Sequence, residues 1–185
     1  MISATELRKG VTFELDGELH RVLEYQHSYI GRGSANVRVK LRNLRTRRAI
    51  ERTFGANEKF QDVRLELRQV QYLYRDGDLF YFMDTETYEQ PALTKDTLQE
   101  KVDYLKEGMV LSLSMYEGQP METELPVTVD LEVTHTDPGV KGDTATGATK
   151  RATMETGLAV QVPLFIEEGD VVRVDTRTGE YLTRV

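Results

Sequence analysis

Arg32 stands between Gly31 and Gly33, and the sequence concentrates its chemistry there. A guanidinium is a permanently charged planar fork that suits phosphate oxygens and stacks on bases. The two glycines permit the positive φ of a tight tip and leave the arginine without bulky neighbours. The runs on either side, Glu24-Tyr25-Gln26-His27-Ser28-Tyr29-Ile30 and Asn36-Val37-Arg38-Val39-Lys40-Leu41, alternate in the way of strands. The pattern predicts a hairpin that holds one cation out on a thin, rigid prong. A solvated turn arginine satisfies the same pattern, because glycine-rich turns are common.

No second reactive constellation stands out. The chain has no cysteine, which removes disulfides, thiolate nucleophiles and cysteine metal sites. His20, His27 and His135 lie far apart in sequence and lack metal-ligand spacing. His27, close to the prong, reads as a structural or surface residue. There is no glycine-rich loop leading into Lys-Ser or Lys-Thr. The carboxylates are many but scattered, and their spacing singles out no pair for acid–base work. The chain reads as a binding protein and not as an enzyme, with no cofactor and no metal.

The elements that must carry the prong are strands. Val11–Leu15, the turn Asp16-Gly17 and Leu19–Leu23 predict a first hairpin. The prong follows, then a turn at Asn43-Leu44-Arg45-Thr46 and a strand over Ala49–Phe54. Short strands at this spacing suit a small barrel of five or six strands over residues 1–64. A second unit, residues 65–126, opens with an aromatic hairpin over 70–83 and continues into a helix over 94–105 and strands at 109–116 and 119–125. Aromatic residues at this strand spacing line a core; a base-stacking platform is the alternative. The third unit, 127–185, has a period-2 strand at Val127–Val133, a long loop over 137–148, strands at 158–165 and 171–175, and a last turn at 176–179. The second and third units share a plan of five short strands, which suits oligonucleotide-binding (OB) barrels.

Charge divides unevenly over these units. Residues 1–64 hold 13 Lys and Arg against 8 Asp and Glu, while the remainder holds 11 against 23. The whole chain has a net charge of −7. A basic first unit, with a local run at Arg42, Arg45, Arg47, Arg48 and Arg52, points to nucleic-acid contact there. A solvated strand face accounts equally well for the run alone. No apolar stretch approaches the roughly 20 residues of a membrane span, and the N-terminus lacks the apolar core of a signal peptide. A cytoplasmic location follows as the expectation.

Several segments together resemble the bacterial elongation factor P family. The most specific is Lys150-Arg151-Ala152, Gly157, Val160-Gln161-Val162-Pro163, Ile166 and Gly169, which fits the family's C-terminal signature at every fixed position. Tyr25-Gln26-His27 ahead of the tip, Met83 to Gln90, Gly142-Asp143-Thr144 and Val174 to Tyr181 also resemble family segments. The resemblance spans the chain. It implies an all-β fold of three small barrels, an N-terminal SH3-like (KOW-like) barrel and two OB-fold barrels, in an L-shaped, tRNA-like arrangement.

The resemblance also implies a function. Family members bind the 70S ribosome between the P and E sites, beside peptidyl-tRNA, and relieve stalling at consecutive prolines. Arg32 would lie near the CCA end of peptidyl-tRNA, with Gly31, Gly33 and Ser34 shaping the tip. Many relatives carry a modified lysine at this place; arginine-type relatives include some glycosylated with rhamnose, which makes Arg32 a candidate acceptor for an arginine-modifying glycosyltransferase. Gly142, Asp143 and Thr144 resemble the loop that approaches the E-site codon. Tyr181 and Arg184 resemble contacts to the small ribosomal subunit. Ribosomal RNA and ribosomal proteins are then the expected partners of a monomer. An elongation factor P-like paralogue and a general RNA-binding module are the competing readings; Gly142-Asp143-Thr144 argues against the first.

Overall fold

The computed structural model describes residues 1–28, 35–139 and 147–185. The Gly31-Arg32-Gly33 tip with Ser34, and the Gly142-Asp143-Thr144 loop, lie outside the described residues. Three sheets account for the fold. The first holds β1 (Ile2–Ser3), β2 (Thr12–Leu15), β3 (Glu18–Ser28), β4 (Asn36–Asn43), β5 (Ala49–Gly55) and β6 (Lys59–Asp62), in the order β1-β6-β2-β3-β4-β5. Asp16 and Gly17, at φ 54° and 77°, close the β2–β3 hairpin in the twist-matched turn that the Asp-Gly pair predicts. The six-stranded count agrees with the sequence. One detail differs: the runs read as two strands, 19–23 and 24–30, are continuous as far as Ser28 in a single strand, β3, with a register shift between Val22 and Glu24. The bulge lets one strand serve both the barrel and the prong. Phe13, Phe54 and Phe60 pack ring on ring at centroid distances of 4.6–6.3 Å in this barrel's core.

The second sheet holds β7 (Glu66–Asp76), β8 (Leu79–Asp84), β9 (Ala92–Thr94), β10 (Val110–Tyr116) and β11 (Gln119–Glu124), ordered β11-β10-β7-β8-β9. The third holds β12 (Thr128–Thr136), β13 (Thr149–Met154), β14 (Ala159–Pro163), β15 (Val171–Asp175) and β16 (Tyr181–Arg184), ordered β14-β13-β12-β15-β16. Numbered within each sheet, the two orders are the same. The first strand is central, flanked by the second and third on one side and by the fourth and fifth on the other. This is the shared five-strand plan read from the sequence, and it suits OB barrels. By compactness the chain falls into two units, Met1–Leu67 with Ser114–Glu122, and Arg68–Leu113 with Thr123–Val185.

The helix expected over 94–105 is shorter and tighter than its apolar spacing suggests. It consists of α1 (Lys95–Leu98) followed by a 3-10 stretch, Gln99–Tyr104. Gln99 sits at φ 55°, a left-handed conformation that ends the α-turn. Leu98 and Leu105 are both buried, so the apolar residues meet the core through a broken path. Among the aromatic residues of 72–82, Tyr72, Phe80 and Phe82 are core as expected. Tyr74 is not: it remains 53% exposed.

One turn recurs in all three sheets. Asn43, Asp84 and Asp175 each end a strand with the side chain buried. Each accepts backbone N–H bonds on its side-chain oxygen from just ahead: Asn43 from Arg45 and Thr46 at 2.8 and 2.9 Å, Asp84 from Glu86 and Thr87 at 2.8 and 3.0 Å, and Asp175 from Arg177 at 2.8 Å. Four residues on, Arg47, Tyr88 and Gly179 take φ of 64°, 61° and 75°, and each donates its N–H to the carbonyl of the buried residue. The sequences are Asn43-Leu44-Arg45-Thr46-Arg47-Arg48, Asp84-Thr85-Glu86-Thr87-Tyr88-Glu89 and Asp175-Thr176-Arg177-Thr178-Gly179-Glu180. Asx side chains stabilise turns by mimicking a backbone acceptor. Glycine at 179 has a further cause, because a Cβ there would come within 3.0 Å of the Tyr104 hydroxyl.

Asp175 carries an acid-sensitive share of this stability. The Arg177 guanidinium and the Arg177 backbone N–H hold its carboxyl down from 3.8 to about 2. A folded-state value below the unfolded one stabilises the protein at pH above about 4. That contribution is lost as pH falls toward 2. Asp175→Asn should therefore lower the melting temperature at pH 7 and leave it nearly unchanged at pH 2, measured by thermal unfolding across that range. An equal deficit at both pH values would contradict the assignment.

Candidate functional site: the prong stem and the basic first barrel

The prong is better supported than a two-stranded ribbon. β3 and β4 pair from His20↔Asn43 out to Ser28↔Asn36, and β5 runs alongside β4 as far as Asn36↔Gly55. A lone two-stranded ribbon is marginal in water, whereas a third strand and a packed face give it independent stability. Only residues 29–35 lie beyond the last β3–β4 pair. Val37 and Val39, both buried, anchor the stem to the first barrel's core.

Tyr25 and His27 stand opposite Val39 and Val37 and so share their face of the sheet. Arg8, from the segment after β1, covers them. Its guanidinium lies 4.9 Å from the Tyr25 ring centroid and donates from Nη1 to the carbonyls of Thr5 and Leu7, each at 2.8 Å. It also reaches His27 Nε2 at 3.3 Å. Tyr25 and His27 meet edge to face at 5.6 Å. His27 is thus a structural residue of the stem.

The other face of the stem carries opposed charges. Lys40 faces Glu24 at 3.6 Å, and Arg38 pairs with Glu51. These residues, with Tyr25, Gln26 and Val39, line a shallow cleft of about 400 Å³. The face is polar but balanced.

The arginine run divides by task. Arg42 lies 3.9 Å from Glu122 of β11, and Arg21 pairs with the other oxygen of the same carboxylate. Arg47 donates to the carbonyl of Met121. Burial lowers the Arg47 guanidinium's pKa; Arg42 and Arg21 add to that, and Glu122 opposes it. The bond to Met121 also explains how a bulky residue holds a left-handed conformation in the first recurrent turn. Arg42 and Arg47 are therefore structural, and Arg45, Arg48 and Arg52 are exposed with no ion pair among the described residues. The sequence held no sign of this division, because Arg21 and Glu122 are 101 residues apart.

In the third sheet, Tyr181 pairs with Val174 and Arg184 with Val172. A register shift inserts one extra residue into β16, and so the two side chains, three residues apart, share one face. Tyr181 packs partly into the core there. Arg184 is half exposed, 3.8 Å from Asp170, with its guanidinium 5.6 Å from the Phe165 ring centroid. The pair named from sequence is thus brought together, and Phe165 is a neighbour that sequence reading missed.

Comparison with known proteins agrees with this architecture. Residues 3–60 match the model of the elongation factor P KOW-like domain, 65–123 that of the elongation factor P OB domain, and 129–184 that of the elongation factor P C-terminal domain. Elongation factor P of Moorella thermoacetica is 54% identical over 184 residues, and that of Thermoanaerobacter sp. is 52% identical over 185. Both alignments cover all of each chain. A solved structure of eukaryotic translation initiation factor 5A from Methanococcus jannaschii superposes with a TM-score of 0.53 at 22% identity, covering 67% of this chain and 93% of that one. That likeness concerns fold alone. No helix among the described residues is long and apolar enough to cross a membrane. Three barrels of the expected kinds, in the expected order and matched end to end by full-length relatives, place this chain in the elongation factor P family of translation elongation factors.

Proposed function

We propose that this chain binds the ribosome between the P and E sites beside peptidyl-tRNA and stimulates peptide-bond formation, relieving stalls at consecutive prolines. Family membership over the full chain is the observation that carries this reading. The three-stranded stem supports it, since a braced base suits a tip that must hold its position. The first barrel would meet the acceptor arm and ribosomal RNA through Arg45, Arg48 and Arg52. Gly142, Asp143 and Thr144 would face the E-site codon, and Tyr181 with Arg184 the small subunit.

Proline is a poor nucleophile because its ring restricts how the amine and the nascent chain can align. A factor that holds the CCA end in a reactive geometry lowers the entropic part of the barrier without supplying a catalytic group. Arg32 would provide the contact, as charge-assisted hydrogen bonds to the CCA backbone. Gly31, Gly33 and Ser34 would keep the tip narrow. In this reading the protein is a cytoplasmic monomer and not an enzyme, and Arg32 is the acceptor if a glycosyltransferase adds rhamnose.

The test is a reconstituted bacterial translation system. Adding the purified protein should shorten the time to synthesise a reporter with three consecutive prolines and leave a proline-free reporter unchanged. Identical times with and without the protein on the proline reporter would overturn the reading.

A further inference from the structure

The second sheet has an uncovered aromatic face. Tyr74 stands opposite Tyr81, which stands opposite Ala92; Asp76 stands opposite Leu79, which stands opposite Thr94. Opposed residues share a face, so these rows form one strip across β7, β8 and β9. Phe80 and Phe82, alternating with them along β8, fill the core behind. The Tyr74 and Tyr81 rings stack at 4.8 Å with planes 18° apart. Tyr74 is 53% exposed, Leu79 38%, and Ala92 is exposed as well. The face over the second and third strands is where OB barrels take their ligands.

Charge selects the class of ligand. Residues 65–126 carry 13 carboxylates and five cations. Asp76 and Asp78 rim the strip and are exposed. Of the cations close by, Arg75 lies over the Phe80 ring at 5.0 Å and bonds the Gly77 carbonyl at 2.7 Å, and Arg68 pairs with Glu89 at 3.1 Å, which leaves Lys95, next to Thr94, as one exposed cation against the two rim aspartates. A phosphodiester would meet repulsion here. A lysine or arginine side chain would lay its apolar stem on the rings, gain a cation–π contact, and bring its head to the carboxylates. Tyrosine is also enriched among the residues that dominate protein interfaces.

We propose that Tyr74, Leu79, Tyr81 and Ala92, rimmed by Asp76 and Asp78, form a docking strip for a lysine- and arginine-rich protein segment of the ribosome. The proposal rests on the ribosomal reading above. It is tested with the full chain carrying Tyr74→p-benzoylphenylalanine, irradiated on purified 70S ribosomes that hold peptidyl-tRNA. The expected adduct joins a basic peptide of a ribosomal protein. Adducts to RNA alone, or no adduct from a chain that cosediments with the ribosome, would overturn the strip while leaving the ribosomal reading standing. Failure of the unaltered chain to cosediment would overturn both. Two surface variants give an independent measure. Tyr74→Ser and Asp76→Lys should each raise the Kd for ribosomes about tenfold, with cooperative unfolding retained and polyproline rescue recovered at saturating protein. Unchanged affinity in both would refute the proposal.

Discussion

An Arg32→Ala variant is expected to fold like the parent chain, bind ribosomes nearly as well, and lose most of its polyproline rescue. Residues 29–35 are beyond the last β3–β4 pair, so truncating one side chain there leaves the stem's register and its buried valines untouched. A hundredfold loss in rate corresponds to about 2.7 kcal/mol of transition-state stabilisation. Two charge-assisted hydrogen bonds are of that size. Arg32→Lys should fail as well, because an ammonium lacks the planar fork and cannot accept an arginine-directed sugar. The rate of synthesis through a polyproline reporter measures both variants. Full activity of the alanine variant would remove Arg32 from the mechanism. Intact mass of the protein from its own source belongs beside this assay. An added deoxyhexose on the Arg32 peptide would make the loss a property of the modified side chain; an unmodified mass would assign it to the bare guanidinium.

The second large effect is expected at Asn43, where aspartate should be a poor replacement although aspartate fills the same place in the other two sheets. Asn43 Oδ1 accepts the turn's two N–H groups, which leaves Nδ2 to donate to the Glu18 carboxylate. An aspartate would keep the first function and set a second carboxylate against Glu18. Loss of a hydrogen bond to a charged group at a buried position costs about 1.5–3 kcal/mol. Urea unfolding at pH 7 should show that loss for Asn43→Asp, and Glu18→Gln in the same chain should restore most of it. The deficit should narrow below about pH 4, where carboxyl groups begin to protonate. A variant as stable as the parent at pH 7 would mean that the Glu18 contact contributes nothing.

The features that the sequence revealed are local ones. Alternating residues located the strands, Asp16-Gly17 located its turn, and the spacing of short strands was enough for three barrels. The aromatic residues over 72–82 were legible as core because buried rings alternate along a strand, and Tyr74 escaped that reading because a bulge between Tyr72 and Tyr74 shifts the alternation. The helix over 94–105 misled for a related reason: apolar spacing records which residues reach the core, not whether the backbone stays α-helical between them. Long-range electrostatics was out of reach. Nothing near Arg42 or Arg47 in the chain announces Glu122 or the Met121 carbonyl, so the arginine run looked like one surface. The recurrent turn was present in plain letters, but its second position differs between Asn43-Leu44 and Asp84-Thr85, and its fifth changes each time. What is shared is a backbone path that a string of side chains does not display.

The charge lattice on the prong stem has a thermodynamic consequence for any polyanion that meets this barrel. Binding of a polyphosphate by free cations is driven largely by release of the counterions condensed on the nucleic acid, and each neutralised phosphate steepens the dependence on salt. Arg38, Lys40 and Arg42 already hold Glu51, Glu24 and Glu122. Arg38 and Lys40 reach a phosphate at the expense of these pairs, which leaves Glu51 and Glu24 to salt cations, while Glu122 keeps Arg21 when Arg42 turns away. The stem therefore contributes little to the salt dependence, which falls to residues such as Arg45, Arg48 and Arg52. A barrel built this way loses less of its grip at the ionic strength of a cell than its count of basic residues implies.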